Sequence, residues 1–224
     1  MHFQFLIEDS CGEALVKLLM EKVKEEYPSI TTDYRGFHGL GGFSRKKGTA
    51  KEMKTGKLLT DLSIYLDGFN KRFRNAEGYP VALFIILDND DNDPVAFRSQ
   101  LEGVAQSKNV TIDHVFCLAI EEIEAWLLGD EAALFYAYPK AKRNVYQTYK
   151  QDSICGTWEK LADVVYNGGS AKMKKDNPSY AGIGAIKMEW ANKIGSRMVL
   201  DQNASPSFNL FISEVRKRAA IEAV

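Results

Sequence analysis

Two hydrophobic rhythms divide this chain. Phe3 to Ile7, interrupted only by Gln4, and Phe84 to Leu87 are short apolar runs, as in strands covered on both faces. Val110 to Ile120 is a longer β-branched and apolar run, and Ile30 to Phe37 is a fourth strand candidate. Between them, EALVKLLMEKVKEEY (Glu13 to Tyr27) and LLTDLSIYLDGFNKRF (Leu58 to Phe73) carry apolar residues at helical spacing. Ser10, with Glu13 three residues on, predicts a capping box, and Pro94 suits the first turn of a helix after the third strand. The order β-α-β-loop-α-β-α-β predicts an α/β fold, with a mostly parallel sheet flanked by helices.

Beyond Leu127 the rhythm is helical only, as in TWEKLADVVY, GAIKMEWANKI and FNLFISEVRKRAA. In NASPSF, Ser205 suits an N-cap and Pro206 the position after it. The expected organisation is an α/β core over residues 1–130 and a helical C-terminal part, 131–224, packed on it. Trp126, Trp158 and Trp190 lie among helical apolar positions and are expected in the core. Lys172, Lys174 and Lys175 read as an exposed turn.

Composition narrows the classes. The 224 residues carry a net charge of -1, which excludes a uniformly basic nucleic-acid coat. One stretch departs from that balance. From Arg35 to Lys57 the chain has Arg35, Arg45, Lys46, Lys47, Lys51, Lys54 and Lys57 against the single acid Glu52. The three cysteines, Cys11, Cys117 and Cys155, form no CxxC, so neither a disulfide framework nor a zinc site is expected. No stretch approaches the roughly 18 consecutive apolar residues of a membrane span. MHFQFLIEDS lacks the basic start of a signal peptide, and the expectation is a cytoplasmic protein.

The candidate chemistry lies where strands end. Glu8 follows the first, Asp88 and Asp90 follow the third within FIILDNDDND, and Glu122 and Glu124 follow the fourth within EEIEAW. Ligands of open α/β sheets bind outside the carboxyl ends of the strands, so acids from three strand ends would converge there. Hard divalent cations collect oxygen ligands, and no soft donor stands near, so Mg²⁺ or Mn²⁺ is the expected cofactor. The bland alternative is a set of solvated strand ends. Asp91 and Asp93 read as turn or helix-start residues, and Glu121 as solvent-facing. An EF-hand is excluded, because counting from Asp88 puts Asp93 and Ser99 where that loop needs Gly and Glu. No phosphate-binding GxxxxGK[ST] and no GxSxG is present. The DxD also resembles that of haloacid-dehalogenase phosphatases or nucleotide-sugar transferases, but Asn92 stands where the phosphatases carry Thr or Val.

A Glu closing strand one followed by DxD after a later strand resembles the Toprim domain of topoisomerases, primases and overcoming-lysogenization-defect nucleases. More closely, the chain is similar to a Toprim-like bacterial family, domain of unknown function 4276. The matching stretches are IEDSCGEAL, LDNDDND, AIEEIEAWLLGDEAAL and NASPSF, in order over nearly the full length. The resemblance implies a Toprim-like sheet and metal-dependent hydrolysis of nucleic-acid phosphodiesters. Glu8, Asp88, Asp90, Glu122 and Glu124 would be metal ligands, with Glu8 as ligand or general base. Arg45, Lys46, Lys47 and Lys51 would contact DNA or RNA, Lys46 or Lys47 reaching the reaction centre. An ATPase partner and a role in phage defence follow by analogy. The chain departs from the family's pattern at Gly39-Leu40, where Gly-Lys is expected, and at Glu121, where arginine is frequent. Two other readings stand beside the nuclease. One is a non-catalytic Toprim-like module that binds nucleic acid or a partner protein; the other is phosphoryl transfer on a small molecule.

Overall fold

The computed structural model describes residues 1–39, 41, 57–75 and 80–222. Four strands, β1 (His2–Ile7), β2 (Thr31–Gly36), β3 (Val81–Asp88) and β4 (Asp113–Ala119), form one all-parallel sheet in the order β2-β1-β3-β4. Helix α1 (Ser10–Glu26) links β1 to β2, α2 (Leu58–Phe73) precedes β3, and α3 (Pro94–Ser107) links β3 to β4. Successive strand residues point to opposite faces, and the apolar runs supply both. Phe3, Phe5 and Ile7 join Leu15, Leu19 and Trp190 in one core; Leu6, Leu83, Ile85 and Leu87 join Leu62, Leu66 and Leu101 in the other.

The C-terminal part is helical, as its rhythm predicts. It comprises α4 (Glu124–Gly129), α5 (Glu131–Ala137), α6 (Arg143–Tyr146), α7 (Thr157–Val165), α8 (Gly169–Asp176), α9 (Tyr180–Gly195) and α10 (Pro206–Ala219), closed by a 3₁₀ turn, Ala220–Glu222. Helix α9 packs along α1, and α10 packs beneath β4. There Phe211 meets Phe84 edge-on at 6.2 Å and stacks on Trp126 at 5.1 Å. Arg218 of α10 reaches Asp113 at the start of β4 through bonds of 2.7 and 2.9 Å. Trp126 and Trp190 are core residues, but Trp158 is half-buried. Lys172, Lys174 and Lys175 lie on α8 rather than in a turn. Among the described residues no helix is long and apolar enough to cross a membrane.

One local reading needs correction. The N-cap of α1 is Asp9, whose carboxylate accepts from the Gly12 N–H at 2.7 Å; Ser10 is already helical. An aspartate one residue earlier makes the same bond and leaves Glu13 free to pair with Lys17. Ser205 does cap α10, accepting from the Phe208 N–H at 3.2 Å with Pro206 next to it.

Candidate active site

The strand order fixes where a site can form. From β1 the chain moves outward to β2, then crosses back to β3 and continues to β4 on the other side. The reversal falls between β1 and β3, the topological switch point at which open α/β sheets leave a crevice. Glu8 leaves β1 and Asp88 ends β3 there, and the Glu8 carboxylate accepts from the Asp88 N–H at 2.9 Å.

The LDNDDND segment divides into separate tasks. Asn89 is fully buried and staples the two strand ends: its backbone N–H donates to Ala119, and its side-chain oxygen accepts from the Glu121 N–H at 2.6 Å. Asn92 returns to the Asn89 carbonyl through side chain and backbone. Asp93 caps α3, accepting from the Ala96 N–H at 2.8 Å. Asp90 and Asp91 are exposed, and Asp90 adopts a positive φ of 47° in the tight turn. Only Asp88 points into the crevice among the carboxylates, while Asp90 stands at its rim.

The EEIEAW segment also divides. Glu121, expected to face solvent, instead caps α7. Its carboxylate accepts from the N–H groups of Cys155, Gly156 and Thr157 at 2.9, 2.7 and 3.0 Å, and from the Thr157 hydroxyl. Burial opposes ionisation, but these donors outweigh it and hold Glu121 below the usual carboxylate range. Glu122 lies in the turn after β4 and accepts from the Trp158 N–H at 3.1 Å. Glu124 opens α4 with its side chain only 1% exposed. The turn, neither strand nor long helix, lets both face the same partner, Lys187 of α9. The ammonium lies 3.1 Å from Glu124 and 3.8 Å from Glu122.

Glu122 and Glu124 therefore contact one ammonium, whose charge Glu8 and Asp88 also feel. Burial pushes Glu8 up to about 7, with repulsion from Asp90 and Asp9 adding to it. Burial and Glu124 push Glu122 up to about 8, and burial with Glu8 and Glu124 raises Asp88 well above its ordinary value. Glu124 and Asp90 are also raised, each chiefly by burial. Burial works against the charge on Lys187, but Glu124, Glu122 and Asp88 outweigh it and hold the ammonium firmly protonated. One cation does not balance this much acid, and the remaining repulsion is relieved by protons or by a further cation.

The donor chemistry fits a hard divalent ion: every candidate ligand is a carboxylate oxygen, and the buried Oε2 of Glu124 has no hydrogen-bond partner. Among the described residues, however, no group of three or more His, Cys, Asp or Glu side chains is already arranged to hold a metal. The carboxylates are drawn instead toward Lys187 and the Asp88 N–H.

Sequence reasoning brought Glu8, Asp88, Glu122 and Glu124 to one place. Arg45, Lys46, Lys47 and Lys51 lie outside the described residues. Asn89 was not singled out, and Lys187 could be read from the sequence only as a helix residue able to reach the site, with no feature demanding it. Its place on that helix was legible: it stands three, four and seven residues before Trp190, Ala191 and Ile194, on the buried stripe of α9.

The segments LLGD and NASPSF serve packing. Asp130 caps α5 through Ala133 and accepts from the Val199 N–H at 2.9 Å. Asn203 donates to the Trp126 carbonyl at 2.8 Å, and Asp152 holds Ser205 and Ser207. A separate cleft of about 310 Å³ beside α2, between Arg35, Tyr65, Phe69 and Arg72, shares no residue with the carboxylate cluster. In comparisons with known proteins, no family model, no curated protein and no solved structure matches this chain.

Proposed function

We propose that this chain is a divalent-metal-dependent hydrolase of nucleic-acid phosphodiester bonds, a Toprim-like nuclease acting in the cytoplasm. One observation carries the reading: Glu8, Asp88, Glu122 and Glu124, from three strand ends, lie near the switch point of a parallel sheet with more carboxyl groups than Lys187 can pair. Asp88 and Asp90 would hold Mg²⁺ or Mn²⁺, leaving Glu8 beside them as the general base, with Glu122 and Glu124 kept in place by Lys187. When bound, such an ion polarises the phosphoryl oxygens and neutralises charge that builds during displacement.

The chain's own groups do the rest. Glu8, at the end of β1 beside Asp88, would serve as the general base that takes a proton from the attacking water. The water oxygen forms the new P–O bond as the bond to the leaving sugar oxygen breaks. Lys187, held protonated, keeps a positive charge beside the reacting phosphate. Arg45, Lys46, Lys47 and Lys51 would contact the phosphate backbone, which Lys and Arg bind most often. A partner ATPase and a role in phage defence rest on the resemblance alone.

A second reading is favoured by one specific feature. Lys187 already neutralises part of the cluster, as it would in a metal-free module that only binds nucleic acid or a protein. Cleavage of supercoiled plasmid and single-stranded RNA in Mg²⁺ or Mn²⁺ separates the two. The nuclease reading expects cleavage that Asp88→Ala abolishes while the far-ultraviolet circular dichroism is kept. Full activity in both Asp88→Ala and Asp90→Ala overturns it. Metal-independent binding without turnover establishes the module.

A further inference from the structure

The carboxylate cluster borders a cleft of about 580 Å³ whose lining is of two kinds. Asp9 at the start of α1, Glu122 and Lys187 are charged. Trp158 from the first turn of α7 and Tyr180 from the first turn of α9 are aromatic. Tyr180 is 93% exposed, so its ring is available at the mouth rather than spent on the core. Isolated exposed aromatics are ordinary on protein surfaces. This one shares a cleft with a second aromatic that is tied to the cluster, because the Trp158 N–H donates to Glu122.

Helix α9 presents Ala181, Gly184 and Ala185 to the cleft, and a Cβ placed on Gly184 would meet no atom within 4 Å. Lys174 stands with its ammonium 4.9 Å from the centre of the Trp158 ring and is paired with Glu159 at 3.0 Å, so its charge is already neutralised there. The volume suits one ligand of modest size, not a double helix.

We propose that this cleft takes one unpaired base of a single-stranded nucleic acid, laid against Tyr180 and Trp158, which brings the adjoining phosphate to the carboxylates and Lys187. The proposal rests on the phosphodiester reading of the same site and names its substrate as single-stranded. Aromatic faces bind any base by stacking, without reading its edges. A base inside a duplex has both faces covered and must leave the stack before a ring can reach it. The carboxylates repel phosphate unless a cation is present, so binding should need one.

The test is fluorescence anisotropy with a labelled oligothymidylate and a blunt duplex of equal length, in Ca²⁺ and in chelator. Expected is Ca²⁺-dependent binding of the single strand, roughly 10-fold tighter than the duplex. Tyr180→Ala should weaken single-strand binding by roughly 10-fold, within the range for loss of one base–aromatic stack, and Tyr180→Phe should restore it. The exposed position of Tyr180 keeps the fold out of the comparison. Equal binding by Tyr180→Ala and the unmodified protein, equal binding of duplex and single strand, or no binding of either would overturn the proposal. If the single-strand preference depends on Tyr180 but Mg²⁺ gives no cleavage, the nuclease reading fails alone. If Mg²⁺ gives cleavage but Tyr180→Ala changes no affinity, the stacking proposal fails alone.

Discussion

At the scale of single residues, the carboxylate cluster makes stability depend on pH in an unusual direction. Glu8 and Glu122 titrate at about 7 and about 8 in the fold, against an ordinary 4.5. A carboxyl raised by folding favours the protonated native state, so its contribution is complete below 4.5 and is lost as pH rises through the folded value. In chelator, thermal melting should therefore fall from pH 5 to pH 8.5, and Glu122→Gln should flatten that slope. A melting temperature that climbs over this range would contradict the arrangement. Lys187 gives the companion prediction. Lys187→Met leaves buried carboxylates without their cation, a loss of about 3–5 kcal/mol where they are ionised. Urea unfolding should show most of that loss at pH 8 and much less at pH 5, where protons replace the ammonium. These residues also mark what was legible. The acids stood out because each follows an apolar run, whereas the fate of Glu121 depended on Cys155 to Thr157, more than thirty residues away.

At the scale of elements, two short joints hold the site. Glu121 ties the end of β4 to the start of α7, and Glu121→Ala would strand three backbone N–H groups and a hydroxyl. That change should cost about 1–3 kcal/mol, with hydrogen exchange speeding first at residues 155–158. Gly129, at the end of α4, is the other joint: a Cβ there would lie 2.0 Å from the Asn203 side-chain oxygen. Gly129→Ala should cost about 1–3 kcal/mol in chemical denaturation, and Ser there should fare no better. Helix α2 was readable to the residue, because its pattern runs between clear punctuation, whereas the apolar run Phe84 to Leu87 marked only the middle of β3, which extends from Val81 to Asp88. The start of α1 was misplaced by one residue, since Asp9 and Ser10 offer equivalent oxygens and only the backbone decides. The packing of α9 on α1, which delivers Lys187 and Tyr180, carries no local signature at all.

At the scale of the whole molecule, the helical part is built into the main core. Phe84 in the sheet, Trp126 on α4 and Phe211 on α10 form one aromatic group, and Trp190 closes over Leu15 and Leu19 in the same cluster. A fragment of residues 1–130 would expose this surface, and it should aggregate or bind an apolar dye where the full chain does not. A soluble, cooperatively melting fragment would show that the two parts fold separately. The α/β class and the helical C-terminal part were both legible, because strands and helices differ in rhythm. That the helical part packs on the α/β part was expected, but which helix meets which was not legible, because burial on a distant helix leaves the same apolar spacing as burial on a near one.

The position of β1 has a consequence for how the protein is made. It pairs on one side with β2 and on the other with β3, so His2 meets both Thr31 and Val81. One of the two inner strands is thus the first of the four to leave the ribosome, and it waits for about eighty residues before both its edges are covered. Contacts this far apart in sequence slow folding, and an uncovered apolar strand is open to association in the meantime. Synthesis therefore runs through an interval in which Phe3 to Ile7 needs shielding, and the nascent chain should be a better chaperone client than the finished protein.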